Sequence, residues 1–343
     1  MPTGSDAAEV RLNGQKSARN RSLVWAFKIA VVGLVIWFVR RTIAGAWSQL
    51  DQYPWAFHPG WIALAGGLYL LALLPAALFW YCSLRTLGQQ PGVWEALRAY
   101  YVGHLGKYVP GKAMVVVIRT GLIRSHRVDT GVAAASVFLE TLTWLAVGSF
   151  LAATYLAAKA SHVDMVFWAA LGLMAATGTP TVPPVFSRLA RLAGVGRRDP
   201  ATVEKLHRLG YGTSLLGWLL MSIGWGLMGL AYWATFRAMG LPGIQGLAEL
   251  PRYTAAVALA VVAGFVAVVV PAGVGVREAA LAAITIPYLK ALTPKAELAA
   301  WTAAVVFRLV SVVSEVGISS ILYWYPAVCS HSGKKSEISN PKS

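Results

Sequence analysis

Acidic residues are scarce in this chain: 14 Asp and Glu against 30 Lys and Arg in 343 residues, with charged residues of both signs making up only 13%. So little charge excludes an ordinary soluble globular protein or a disordered acidic chain. Cysteine is rarer still. Cys82 and Cys329 stand far apart and form no metal or redox spacing, so both read as structural. Catalytic signatures are missing as well. There is no nucleophile elbow and no zinc-ligand spacing, and the one glycine-rich stretch, Gly-Val-Gly-Val-Arg-Glu (273–278), lacks the Lys-Ser/Thr that a phosphate loop needs. No aromatic–basic module points to nucleic acid, despite a net charge of +16. The expectation is therefore a protein without cofactor or metal, which does not act as an enzyme. An energy source, if used, would be an ion gradient.

What the chain does contain is apolar. Hydrophobic residues make up 57% and mean hydropathy is +0.58, which indicates a polytopic membrane protein. The 14 Trp and 13 Tyr suit a chain with many membrane–water boundaries. The expected fold is all-α, with about six full transmembrane helices: 23–39, 61–84, 131–158, 163–179, 213–238 and 298–325. Residues 1–22 read as a disordered basic cytoplasmic tail, 23–325 as one transmembrane domain and 326–343 as a polar cytoplasmic tail. A basic loop, 186–208, joins the halves 23–185 and 209–325 of that domain. A cleavable signal peptide is not expected, because a polar, basic leader precedes the first apolar run.

Two apolar stretches are interrupted. The first, Gly103–Arg124, breaks at Pro110 and Gly111, with Lys107 and Lys112 flanking the break and Arg119 following it. The second, Gly264–Glu278, breaks at Pro271, with Gly273 and Gly275 loosening the backbone before Arg277 and Glu278. Proline removes a backbone donor and disrupts a helix, and paired interruptions in two halves of a membrane protein mark a transporter's binding site. If both segments are re-entrant, the segments facing the cytoplasm hold most of the Lys and Arg, which places both termini inside. The two halves then run antiparallel, as an inverted repeat of two broken hairpins among the full spans.

Charges within these segments are costly, about 2.5–3.5 kcal/mol each near a helix centre, so each should face a cavity or a partner. Arg119, Arg277 and Arg308 are the candidates for an anionic head group, with Lys107 and Lys112 assisting; Arg offers a planar fork suited to phosphate. Glu140, Glu278 and Glu315 are candidates for gating or for proton or ion coupling. Glu140 and Arg308 lie at equivalent depths of their spans and are expected to pair, and Glu278 to orient Arg277. The alternative for all of them is purely structural pairing. His104, beside the first break, more often would simply be hydrogen-bonded.

Tyr101–Arg124, Glu140 and Val270–Glu278 (VPAGVGVRE) together resemble the lysylphosphatidylglycerol synthase transmembrane-region family, which includes the flippase domain of bacterial multiple peptide resistance proteins. The resemblance spans roughly residues 20–325. It implies a protein of the bacterial inner membrane that moves a lipid, or a lipid-linked anionic head group, between leaflets, with membrane lipids as its partners. The family's synthases carry a soluble aminoacyl-transferase domain after the membrane region. Here only the polar stretch 326–343 follows, so lysyl transfer is not expected and an aminoacylated lipid as substrate is not implied. A membrane-embedded enzyme, or a scaffold for lipid-modifying enzymes, remains the alternative.

Overall fold

The computed structural model describes residues 57–108, 113–123, 127–159, 165–192, 194, 201–241, 243–244, 246–267, 273 and 275–324. The first predicted span, both tails, and Pro110, Gly111, Lys112 and Pro271 lie outside the described residues. Every described element is helical, with no β-strand among them.

Four helices are long and apolar enough to cross a membrane: α1 (Pro59–Thr86), α4 (Thr130–Lys159), α8 (Tyr211–Ala238) and α11 (Ala296–Trp324). At 28 to 30 residues each they rise about 42–45 Å, more than a hydrocarbon core of about 30 Å. They match predicted spans two, three, five and six, and α1 continues through Pro75. Between them lie α2 (Val93–His104), a 3₁₀ turn (Leu105–Tyr108), α3 (Ala113–Ile123), α5 (Met165–Gly178), α6 (Pro183–Leu192), α7 (Ala201–Leu206), α9 (Leu250–Val266) and α10 (Val276–Leu289). Two expectations change. Predicted span four is only the 14-residue α5, stopped near Pro180 and Pro183. The basic connection is not a plain loop, because α6 and α7 form within it and the Ser187 hydroxyl ties them by donating to the Leu206 carbonyl.

The outer surface is apolar and the charged groups are inside. Leu71, Val117, Phe138, Leu219, Val313 and Ile321 are exposed, whereas Arg119, Glu140, Glu278, Arg308 and Glu315 are buried. This inversion of the soluble pattern fits a surrounding solvent of lipid tails.

α1 and α8 form the central pair and run antiparallel. Trp61 near the start of α1 meets Trp233 near the end of α8 at 5.4 Å, edge to face. Phe79 near the end of α1 packs where Gly217, near the start of α8, has no side chain. Glycines set this spacing: a Cβ on Gly224 would stand 2.9 Å from the Ala72 carbonyl, and one on Gly217 2.7 Å from the Phe79 ring. Gly226, by contrast, faces open space.

Each half adds a helical hairpin between its two long helices. In the first, α2 packs on α3, and the chain leaving α1 is tied to the chain entering α4. Gln90 N donates to the Arg127 carbonyl (3.2 Å) and Asp129 N to Gln89 Oε1 (2.7 Å). In the second, α9 packs on α10, and the connections before and after the hairpin touch where Gly243 meets the Leu292 side chain. Both excursions thus begin and end at one place: the first at the end of α1, the second at the end of α8. Packing between halves follows the same exchange, with α2 against α11 and α9 against α4.

Candidate functional site

The glycines beside each break let one hairpin arm lie on the other. A Cβ on Gly106 would come within 2.5 Å of Val115 N, and one on Gly273 within 2.6 Å of the Gly264 Cα. Gly273 and Gly275 also adopt positive φ, +67° and +77°, a region that side-chain-bearing residues rarely enter. This is the predicted backbone break of the second hairpin. In both hairpins an arginine from the second arm crosses a glycine of the first: Arg119 over Gly103 and Arg277 over Gly264.

From there the two arginines part. Arg119 is 2% exposed, and its Nη1 donates to Glu140 Oε2 of α4 at 2.8 Å. Glu140 Oε1 accepts from the Tyr100 hydroxyl at 3.0 Å. The guanidinium lies 3.9 Å from the centre of the Tyr100 ring and 5.6 Å from that of Trp80. Trp80 is itself fixed by its indole N–H donating to Ser136 Oγ. One ion pair and two aromatic faces therefore join α1, α2, α3 and α4.

The tip of the first hairpin is pinned to α11. Glu315, 1% exposed, accepts hydrogen bonds from the Tyr69 hydroxyl and from Lys107 Nζ, and from the Tyr108 hydroxyl at 2.8 Å. His104 Nε2 stands 3.5 Å from the same carboxylate and 3.0 Å from Lys107 Nζ. A carboxylate buried in apolar surroundings is tolerated when donors converge on it in this way.

In the second hairpin, Glu278 Oε2 accepts from Gly275 N at 2.6 Å, which caps α10 by satisfying a first-turn donor. Its other oxygen lies 3.4 Å from Arg308 Nη1 on α11. Arg277 is different. Among the described residues it makes no ion pair, and its buried Nε has no hydrogen-bond partner.

Arg277 lines three cavities. One, of about 140 Å³, lies between the hairpins and is bounded by Tyr100, His104, Lys107, Arg119, Glu140 and Trp144. A second, of about 340 Å³, shares Lys107 and Arg277 and is otherwise walled mostly by Val115, Val116, Val137, Phe138 and Leu142. Phe138 is 56% exposed, so this cavity reaches the lipid-facing surface. The third, of about 50 Å³, holds Glu278, Arg308 and Ser311 on the other side of Arg277. Among the described residues, no group of three or more His, Cys, Asp or Glu could hold a metal ion.

Most predicted site residues therefore gather around one polar centre: Lys107, Arg119, Glu140 and Arg277 on the first cavity, Glu278 and Arg308 on its neighbour, and Glu315 behind Lys107. The predicted partners are corrected. Glu140 pairs with Arg119 and not Arg308, because α3 packs on α4 and brings Arg119 within 2.8 Å of it. Glu278 does not orient Arg277; it caps its own helix and faces Arg308. Tyr69, Tyr100, Tyr108 and Trp144 escaped the sequence reading. Tyr69 did carry a signal, since it sits eleven residues into the 28-residue α1, well away from an interface where a tyrosine would need no explanation.

No curated protein matches the chain. Residues 25–317 match the family model described as the lysylphosphatidylglycerol synthase TM region. The chain belongs to that family, as a multi-pass membrane protein of lipid metabolism or transport.

Proposed function

We propose that the protein is a lipid flippase or scramblase, a carrier and not an enzyme, that moves a phospholipid or lipid-linked anionic head group between leaflets of the inner membrane. The observation that carries this reading is Arg277: a cation without a partner among the described residues, set where a polar cavity joins an apolar one that opens towards lipid. A buried cation left unpaired is costly, and a phosphate is the partner whose two oxygens fit its fork. The apolar cavity past Phe138 lets an acyl chain stay in the bilayer while the head group enters.

The architecture supports the same reading. Each hairpin begins and ends at one place, and the antiparallel α1 and α8 put those two places at opposite ends of the bundle. This supports a reading as two re-entrant hairpins in an inverted repeat, and the distribution of Lys and Arg along the chain supports entry of the first from the cytoplasm and of the second from outside, with both termini cytoplasmic. Rocking of one half against the other would present Arg277 to each leaflet in turn.

Leaflet exchange of labelled lipids in proteoliposomes tests the proposal. Wild-type protein should move an anionic phospholipid, and Arg277→Ala, checked for folding by gel filtration and thermal unfolding, should lose that movement. A folded variant that moves lipid as fast as wild type would sink the reading.

A further inference from the structure

Among the described residues two permanently charged cations, Arg277 and Lys107, line both the polar cavity and the apolar one beside it. Arg277 makes no ion pair there, whereas Lys107 is engaged by Glu315. We infer that Glu315 regulates the site by keeping Lys107 in reserve: when a head group reaches Arg277, Lys107 leaves the carboxylate and becomes the second ligand of the phosphate. The inference rests on the lipid-carrier reading above and names the regulation of that same site.

The surroundings of two carboxylates show why Lys107 can leave its partner and Arg119 cannot. Each oxygen of Glu315 has a tyrosine donor of its own, Tyr69 on Oε1 and Tyr108 on Oε2. Both remain when Lys107 departs. His104 Nε2, 3.5 Å from Oε1, adds a third donor in the tautomer that carries its hydrogen there. A buried carboxylate that keeps hydrogen bonds at both oxygens is far less costly than a bare one. Glu140 has no such reserve. Tyr100 serves its Oε1, and Oε2 depends on Arg119 at 2.8 Å, with Thr141 Oγ1 at 3.5 Å a poor substitute.

The two cations differ in the same sense. Lys107 keeps 18% of its side chain exposed, and Arg119 only 2%. The Arg119 guanidinium is also fixed against the Tyr100 ring at 3.9 Å, whereas a lysine carries its charge on a flexible stem with rotatable donors. Exchange also keeps binding reversible. A phosphate gripped by two cations without a competitor would leave slowly, and a carrier must bind weakly enough to release. Glu315 supplies the competitor, because it draws Lys107 back.

Equilibrium binding of a fluorescent-tailed phosphatidylglycerol to the purified full-length protein, together with its dissociation rate, tests the exchange. Lys107→Gln should weaken binding about tenfold or more, as for loss of one charge-assisted hydrogen bond. Glu315→Gln, which frees Lys107 permanently, should bind more tightly and release more slowly, and adding Lys107→Gln to it should cancel the gain. Tyr108→Phe acts the other way. Tyr108 lines none of the three cavities, yet losing the Oε2 donor makes Lys107 harder to part from Glu315 and should weaken binding. A purely structural role for Glu315 would move both variants in one direction. Weaker binding by Glu315→Gln, or unchanged binding by Lys107→Gln or Tyr108→Phe, overturns the exchange; the last two decide alone if Glu315→Gln does not accumulate. Lipid carriage is judged separately in the same assay. Unchanged binding by Arg277→Ala, or displacement by inorganic phosphate as readily as by unlabelled phosphatidylglycerol, overturns it and the exchange with it.

Discussion

The two broken hairpins are built alike and end in opposite electrostatic states. Each has two short helical arms, a glycine on the first arm and an arginine on the second that lies across it. In the first hairpin the next long helix supplies Glu140 and the arginine is closed off. In the second, the next long helix supplies Arg308, and Glu278 turns to that residue and to its own helix cap. Arg277 therefore lines the cavity with no ion pair among the described residues. The lesson is that a charged residue in a membrane segment is a marker of function only after its partner has been sought. Arg119 and Arg277 look equivalent along the chain, yet one is paired across helices and the other lines the cavities without an ion pair among the described residues.

The contrast can be broken most severely at the closed pair. Glu140→Gln leaves Arg119 buried without its counter-charge, a change that typically costs about 3–5 kcal/mol. Thermal unfolding in detergent should show a large loss of stability or failure to accumulate in the membrane. Arg277→Ala, which removes no pair, should unfold within about 1 kcal/mol of wild type. Equal destabilisation by the two would erase the distinction drawn here.

The glycines should give a smaller split. Alanine at Gly103 would press on the fixed Arg119, including its backbone N at 3.3 Å, and overpacking of this kind costs about 1–3 kcal/mol. Alanine at Gly264 first meets the Arg277 side chain, at 2.7 Å, which no ion pair among the described residues holds in place. Gly264→Ala should therefore keep its melting temperature and lose lipid movement, whereas Gly103→Ala should lose stability first. Parallel melting and exchange assays would expose a reversed order.

Least perturbing is a test of sidedness. In a background with Cys82 and Cys329 replaced by Ser, Gln90→Cys and Ala248→Cys place single thiols at the exposed mouths of the two hairpins. A membrane-impermeant reagent should reach Gln90→Cys from the cytoplasmic face and Ala248→Cys from the other. Labelling of both from one face would remove the inverted arrangement.

Much of this was legible in the chain. Apolar runs long enough to cross a bilayer located α1, α4, α8 and α11, because a lipid solvent obliges such runs to satisfy their backbone within a helix. Pro110 and Pro271 with their glycines marked the two hairpins, although the prolines themselves lie outside the described residues. The reading of residues 186–208 as loop failed because charge density there hid α6, whose Phe186 and Ala190 form a short buried face. The cavity's aromatic walls were illegible for a different reason: in a chain with so many Trp and Tyr, interfacial rings and site-lining rings have the same composition.

By itself the sequence determined the solvent, the long helices, the two breaks, the family and the set of charges that must find partners. Only the tertiary structure decided the pairing. Which carboxylate meets which cation depends on how far each helix is rotated and how deep it sits against its neighbour, and spacing along one chain encodes neither. Glu140 and Arg308 have matching depths but different neighbours, and that packing leaves Arg277 open to the cavity.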